Sequence, residues 1–143
     1  IHGTPEYDIN GEYFFVNVNN LSDGIIEIKP ETKTVSESEF LRHKRNLTER
    51  TVLVSINGTI GNTAFYKNEK IILGKSACYF NLMNGVNNEY IRLLLTSKYF
   101  LDYALSEATG TTIKNVSLKT MRSFIIPLPP LNEQAKIISF LNV

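Results

Sequence analysis

Strand-type runs fill the first 81 positions, and helical spacing takes over from Asn87. Tyr13–Val18 is an aromatic and β-branched run that predicts a strand. Ile25–Lys29 predicts a second, with a turn over Asn20–Gly24 between them. Ser36-Glu37-Ser38-Glu39 has the spacing of a capping box, Ser36 capping and Glu39 reaching back, so a short helix is expected through about Arg42. Thr51–Ile56 is the clearest strand. Asn57-Gly58 follows as a hairpin signal, because both positions tolerate positive φ, and the chain returns over Thr63–Tyr66. Asn68-Glu69 turns again, and Ile71–Leu73 and Ala77–Asn81 complete a β-meander interrupted at Gly74-Lys75-Ser76.

Beyond Asn87, Tyr90, Ile91, Leu94 and Leu95 fall on one helical side, and Tyr99, Phe100, Tyr103 and Ala104 follow from about Ser97. Gly110 ends that region. Ser117 then caps a short helix over Leu118–Arg122. Phe124-Ile125-Ile126 predicts a last brief strand closed by Pro127, and Pro129-Pro130 stiffens an extended spacer. A final helix is expected from Asn132, with Glu133 in its first turn favoured by the helix dipole. Its residues Ile137, Ile138 and Leu141 share one face and need a partner surface. The expected class is α+β: a curved, mostly antiparallel sheet with helices grouped to one side, then the start of a long spacer helix. The corresponding division is residues 1–131 and 132–143.

The length suits one domain with a real core, and 43% hydrophobic against 20% charged residues is ordinary globular composition. No run reaches the roughly 20 apolar residues of a membrane span, so no membrane partner is expected. Ile1 is not a natural start, and the true N-terminus is expected to be missing. The single Cys78 excludes an internal disulfide and fits a reducing, cytoplasmic setting as a small buried residue. Charge changes the picture more. Residues 1–39 hold eight carboxylates against two lysines, and residues 40–143 hold thirteen Lys/Arg against six carboxylates, leaving −6 and +7. That asymmetry points to a polyanion partner for one face, unless the fold mixes the charges in space.

The catalytic inventory is thin. His2, His43 and Cys78 cannot make a Cys/His zinc site, and no phosphate loop of the GxxxxGK[ST] type is present. Reading DNA needs cations for phosphates and forked or amide groups for base edges. Arg42, His43, Lys44, Arg45 and Asn46 offer both within one segment, with a solvated loop as the alternative. Lys75 at the meander interruption, Asn57 at the hairpin, and Thr111, Thr112, Lys114 and Asn115 in a polar loop are further candidates. That loop reads equally as a glycine-led turn satisfying its own backbone. Lys119 and Arg122, three apart on the short helix, extend a phosphate track. The aromatic residues of the strands, Tyr13, Phe14, Phe15, Phe65, Tyr66, Tyr79 and Phe80, read as core, and Tyr90, Tyr99 and Tyr103 as helix packing.

Three stretches in order carry a family resemblance. They are Gly3-Thr4-Pro5, then Leu53-Val54-Ser55-Ile56-Asn57-Gly58-Thr59-Ile60-Gly61, then Gly110-Thr111-Thr112 through Ile126-Pro127-Leu128-Pro129-Pro130-Leu131 and Glu133-Gln134. Together they resemble a target recognition domain of the specificity (S) subunit of type I restriction–modification systems. The resemblance implies a non-catalytic, cytoplasmic module for double-stranded DNA that reads half of a split target. It implies methyltransferase (M) and restriction (R) subunits as partners, which would carry S-adenosylmethionine and ATP, so no cofactor is expected in this chain. It also implies a second recognition domain or a second copy of the chain, joined through the helix face of Ile137, Ile138 and Leu141. The chain departs from the pattern in two places: Tyr13-Phe14-Phe15-Val16 stands where a Trp-containing stretch is common, and Ile113 replaces a frequent Gln. Two other readings stay open: a recognition domain cut from a fused restriction–methylation enzyme, and an adaptor with the same fold that binds protein instead of DNA.

Overall fold

The computed structural model describes residues 3–141. Its centre is β5 (Thr51–Ser55), in which every residue is buried, so both edges and both faces must be covered. β6 (Thr63–Phe65) and β8 (Ala77–Asn81) pair with it antiparallel on either side. Alternation along β5 then splits the core in two. Val52 and Val54 face a cluster with Tyr90, Ile91, Leu95, Phe100 and Met121, whereas Leu53 faces one with Val16, Leu21, Ile26 and Ile71.

The second cluster is closed by another small sheet. In it β1 (Tyr13–Val16) pairs antiparallel with β4 (Thr34–Val35) and parallel with β7 (Ile71–Leu73). β2 (Leu21–Ser22) and β3 (Ile25–Ile26) form a tight hairpin turned by Asp23 and Gly24, both at positive φ. The α+β class and the mostly antiparallel pairing stand, but the strand order departs from the expected meander. β7 leaves to join β1, and β8 takes the place beside β5. Buried Ile71 and Ile72 make this favourable, because β7 covers the β1 side while β5 keeps two antiparallel neighbours.

Side-chain caps set the helix starts. α1 (Glu37–His43) is capped by Ser36, α2 (Asn88–Leu95) by Asn87, α3 (Lys98–Glu107) by Ser97 and α4 (Leu118–Arg122) by Ser117. The reciprocal half of the expected capping box is absent, because the Glu39 carboxylate does not turn back to Ser36. It accepts the Glu6 N–H at 3.0 Å and pairs with Arg42 at 2.7 Å and His43 at 3.3 Å. Helices α2 to α4 share the Val52/Val54 face, as the grouping requires, while α1 lies against β7 on the other sheet.

Two other expectations are corrected. Asn57-Gly58 is not a two-residue turn: the β5–β6 connection runs over residues 56–62, with Gly58 and Gly61 in the left-handed region. Phe124–Ile126 forms no strand. Phenols bond this stretch and the residue after it in place of a ladder: Tyr99 Oη donates to Ile125 O at 2.6 Å and Tyr90 Oη to Pro127 O at 2.6 Å. Tyr103 Oη adds a bond to Thr120 O at 2.7 Å, and Phe124 packs among Tyr99, Phe100 and Tyr103. Tyr90, Tyr99 and Tyr103 therefore do more than pack, since they hold the chain that leads away from α4.

That chain enters α5 (Leu131–Leu141), which turns back onto α2. The expected stripe is divided. Ile138 packs on the domain's own core, whereas Ile137 and Leu141 stay 37% and 58% exposed. Residues 142 and 143, the end of the expected helix, and His2 lie outside the described residues. Most strand aromatics pack on the core as expected, Phe14, Phe65, Tyr66, Tyr79 and Phe80 against the clusters, with Tyr13 stacked on Phe40 at 4.1 Å; Phe15 belongs to neither cluster and packs edge-on against Tyr7.

Candidate nucleic-acid interface

A cleft of about 860 Å³ opens beside β7, β8 and α4. The N-terminal segment (Gly3 to Pro5, and Tyr7) and the loop after α1 complete its rim. Its floor is apolar, with Ile72, Leu73, Ala77, Cys78 and Met121, and its cations come from separate parts of the chain. Arg45 arrives from the loop after α1, Lys75 from the β7–β8 turn and Arg122 from α4, with His43 close by. Among the described residues no carboxylate lines it, although the acid-rich first 39 residues supply part of the wall. The acidic side chains stay off the lining itself, although the Glu39 carboxylate stands 3.3 Å from His43 at its edge.

Local structure explains each position. Gly74 is packed so tightly on β1 that a Cβ there would lie 2.6 Å from the Phe15 ring, and this close approach sets the turn that exposes Lys75. Ser76 anchors the same turn, its Oγ accepting from Val18 N at 2.9 Å and its carbonyl from Ile56 N at 2.8 Å. Arg45 Nη1 donates to the carbonyls of His43 and Lys44, folding the guanidinium along its own loop. Arg122 follows Leu118 and Met121 on the cleft side of α4. Burial pushes the Cys78 thiol up to about 12, with the Arg122 charge opposing that rise, so Cys78 is a protonated floor residue and no nucleophile.

Next to the cleft, two loops meet. Val116 N donates to Ile56 O at 2.8 Å, and Gly58 N donates to Lys114 O at 2.8 Å. Between them Asn57 Nδ2 donates to Asn115 Oδ1 at 3.0 Å. Asn57 Oδ1 and Asn115 Nδ2 have no partner among the described residues, and both side chains are accessible. The second loop is closed by paired bonds between Thr109 and Asn115, both 2.9 Å, and by Lys114 Nζ donating to Gly110 O at 3.0 Å. Gly110 is required here, because its φ is +91° and a Cβ would stand 2.2 Å from Ile113 O. The loop thus does satisfy its own backbone, and it still presents Thr111 and Thr112 outward.

The candidates named from sequence fall into three groups. Arg45, Lys75, Arg122 and His43 come together at the cleft, and Asn57, Thr111, Thr112, Lys114 and Asn115 at the adjoining two-loop tip. Arg42, Lys44 and Lys119 do not line the cleft. Arg42 is held by Glu39, whose carboxyl is drawn below its ordinary range mainly by the Glu6 N–H, against burial and with help from Arg42 and His43. Tyr7, Phe15 and Tyr79 also line the cleft, a role the strand pattern could not reveal. Among the described residues there is no cluster of three His, Cys, Asp or Glu placed to hold a metal, and no helix long and apolar enough to cross a membrane.

Residues 4–143 match the family model of the type I restriction modification DNA specificity domain. Solved structures with a similar fold include a chain from work on complex assembly and conformational transition of the type I R-M system, at 20% identity and a TM-score of 0.67. The S subunit of a type I restriction–modification system from M. genitalium matches at 20% identity and 0.59. The HsdS subunit from Thermoanaerobacter tengcongensis matches at 19% and 0.66. Each match covers 99% of this chain and 33%, 34% and 32% of the respective neighbour, so the chain spans about a third of those proteins' length.

Proposed function

The chain belongs to the type I restriction modification DNA specificity domain family, and from that premise we propose that it reads one half of a split target on duplex DNA. The observation that carries this reading is the cleft, whose described lining takes cations from three separate segments and no carboxylate, with an amide-bearing tip alongside. Arg45, Lys75 and Arg122 take phosphates, which fixes the domain's place on the duplex. Asn57 and Asn115, bonded to each other, leave one amide acceptor and one amide donor free among the described residues, the two kinds of group that recognise the edge of an adenine. Thr111, Thr112 and Lys114 complete the reading edge, and Arg42, Lys44 and Lys119 contribute only general attraction.

The domain supplies specificity. Methylation, ATP-driven translocation and cleavage fall to M and R subunits, which hold S-adenosylmethionine and ATP. Residues up to 131 form the reading unit, and α5 begins the spacer toward a second recognition domain or a second copy. The test is the host methylome with and without this gene. One split methylated sequence should vanish on deletion, and an unchanged methylome would refute the proposal.

A further inference from the structure

The side chain of Gln134 is a polar group placed where apolar residues are usual: it is 0% exposed, although α5 is exposed at most other positions. Its amide is engaged on both sides. Oε1 accepts from Asn87 N at 2.8 Å, and Nε2 donates to Gly85 O and Pro129 O, both at 2.8 Å. All three principal capacities of the amide are therefore used, and no aliphatic side chain of similar size could replace them. Its partners lie on three separate elements: the β8–α2 loop, the cap of α2 and the spacer that precedes α5.

That loop is itself anchored to the sheet. The Arg50 guanidinium, just before β5, donates to Val86 O and to Met83 O. A continuous set of bonds thus runs from β5 through Arg50 and residues 83–87 to Gln134 on α5. Among the described residues of α5, Ile138 adds apolar packing on the core, whereas Ile137, Phe140 and Leu141 are exposed.

We infer that Gln134 is the positioning residue that sets the orientation of the DNA-reading surface relative to α5. This rests on the proposed recognition role. Under that role, the orientation determines the separation at which a second recognition unit meets its half of the target.

Two variants test it. Gln134→Leu removes all three side-chain bonds. Gln134→Glu keeps the shape but turns an acceptor-only carboxylate toward two carbonyls, and burial there raises its pKa. Once protonated, that carboxyl can again donate to one carbonyl and accept from Asn87 N. Spin labels at Lys67→Cys and Ser139→Cys, both exposed positions, report the α5 angle in the full chain. Buried Cys78 does not compete for the label.

The parent should give one narrow distance distribution at about pH 5 and about pH 8; Gln134→Leu should give a broad one at both, and Gln134→Glu should be broad at the higher pH and narrow at the lower. Narrow distributions in both variants at the higher pH, or a Gln134→Glu response indifferent to pH, would overturn the inference. The full subunit with its methyltransferase is then presented with half-sites at a series of separations. The parent should accept one separation. Gln134→Leu should keep the half-site bases but lose about tenfold on that separation and accept neighbouring ones, a change of the size typical of coupling between sites. Methylation confined to the parental separation in both variants would remove the positioning role and leave recognition intact. If the parent methylates no split target while the distances behave as described, recognition fails and the latch stands.

Discussion

Neutralising the cleft by Arg45→Gln, Lys75→Gln and Arg122→Gln should change how DNA binding responds to salt. Each of the three comes from a different segment and each is exposed, so their removal disturbs little packing. If each engages one phosphate, together they contribute about −2.7 to the slope of log affinity against log salt, at roughly −0.9 per contact. Between about 50 and 200 mM salt that slope alone is a loss of roughly 40-fold. The triple variant should bind more weakly at low salt and lose that part of the slope, and each single variant should lose about a third of it. Fluorescence anisotropy on a labelled duplex of the methylated sequence measures both quantities. A triple variant with the parental slope would show that the cations do not meet phosphates, and the cleft would then have no electrostatic role in binding.

Arg42→Ala should leave DNA affinity within about a factor of two, because Arg42 is engaged by Glu39, whereas Arg45→Ala should weaken binding to every sequence alike and lower the salt slope by about 0.9, as the loss of one phosphate contact requires; equal effects in anisotropy titrations would contradict this. Tyr90→Phe removes a phenol that burial keeps protonated and that serves Pro127 O, so urea melts should show a loss of about 0.5–1.5 kcal/mol. Gly110→Ala forces a Cβ against Ile113 O, and should weaken target binding by opening the tip while near-ultraviolet circular dichroism of the core stays unchanged. Glu39 is held below its ordinary value of 4.5 in the folded chain, so its stabilising effect is complete above that value and is lost as pH falls through the folded one. Glu39→Gln should therefore flatten the acid limb of the stability curve, and a parental acid limb in the variant would count against the Glu6–Glu39 tie.

Helix starts were legible because their signals are local. Ser36, Ser97 and Ser117 each place one oxygen beside a first-turn N–H, and the chain folds accordingly. Strand partners were not, because pairing is decided by burial far along the chain. Ile71–Leu73 looks the same whether it pairs with β6 or with β1, and only the need to cover both faces of β5 separates the two. Phe124–Ile126 has strand composition, yet the Tyr99 phenol of α3 takes its Ile125 carbonyl and the Tyr90 phenol of α2 the Pro127 carbonyl just after it. In the site, residue type identified Arg45, Lys75, Arg122, Asn57 and Asn115, but not that the first three share one cleft or that the last two bond to each other. Gln134 was visible only as part of the Glu133-Gln134 pair of the resemblance, and its burial was not, because a polar residue in a helix reads as solvent-facing until its partners are known.

The central claim is that this domain recognises a base sequence. Selection of binding duplexes from a randomised pool tests it most directly, using the parent chain and Asn57→Ala and Asn115→Ala variants. The parent should enrich one short motif, and each variant should relax it at a single position, at a cost of about 1–3 kcal/mol there, while retaining the salt response set by the cleft. A pool that shows no common motif after selection by the parent, or a motif unchanged in both variants, would contradict the account.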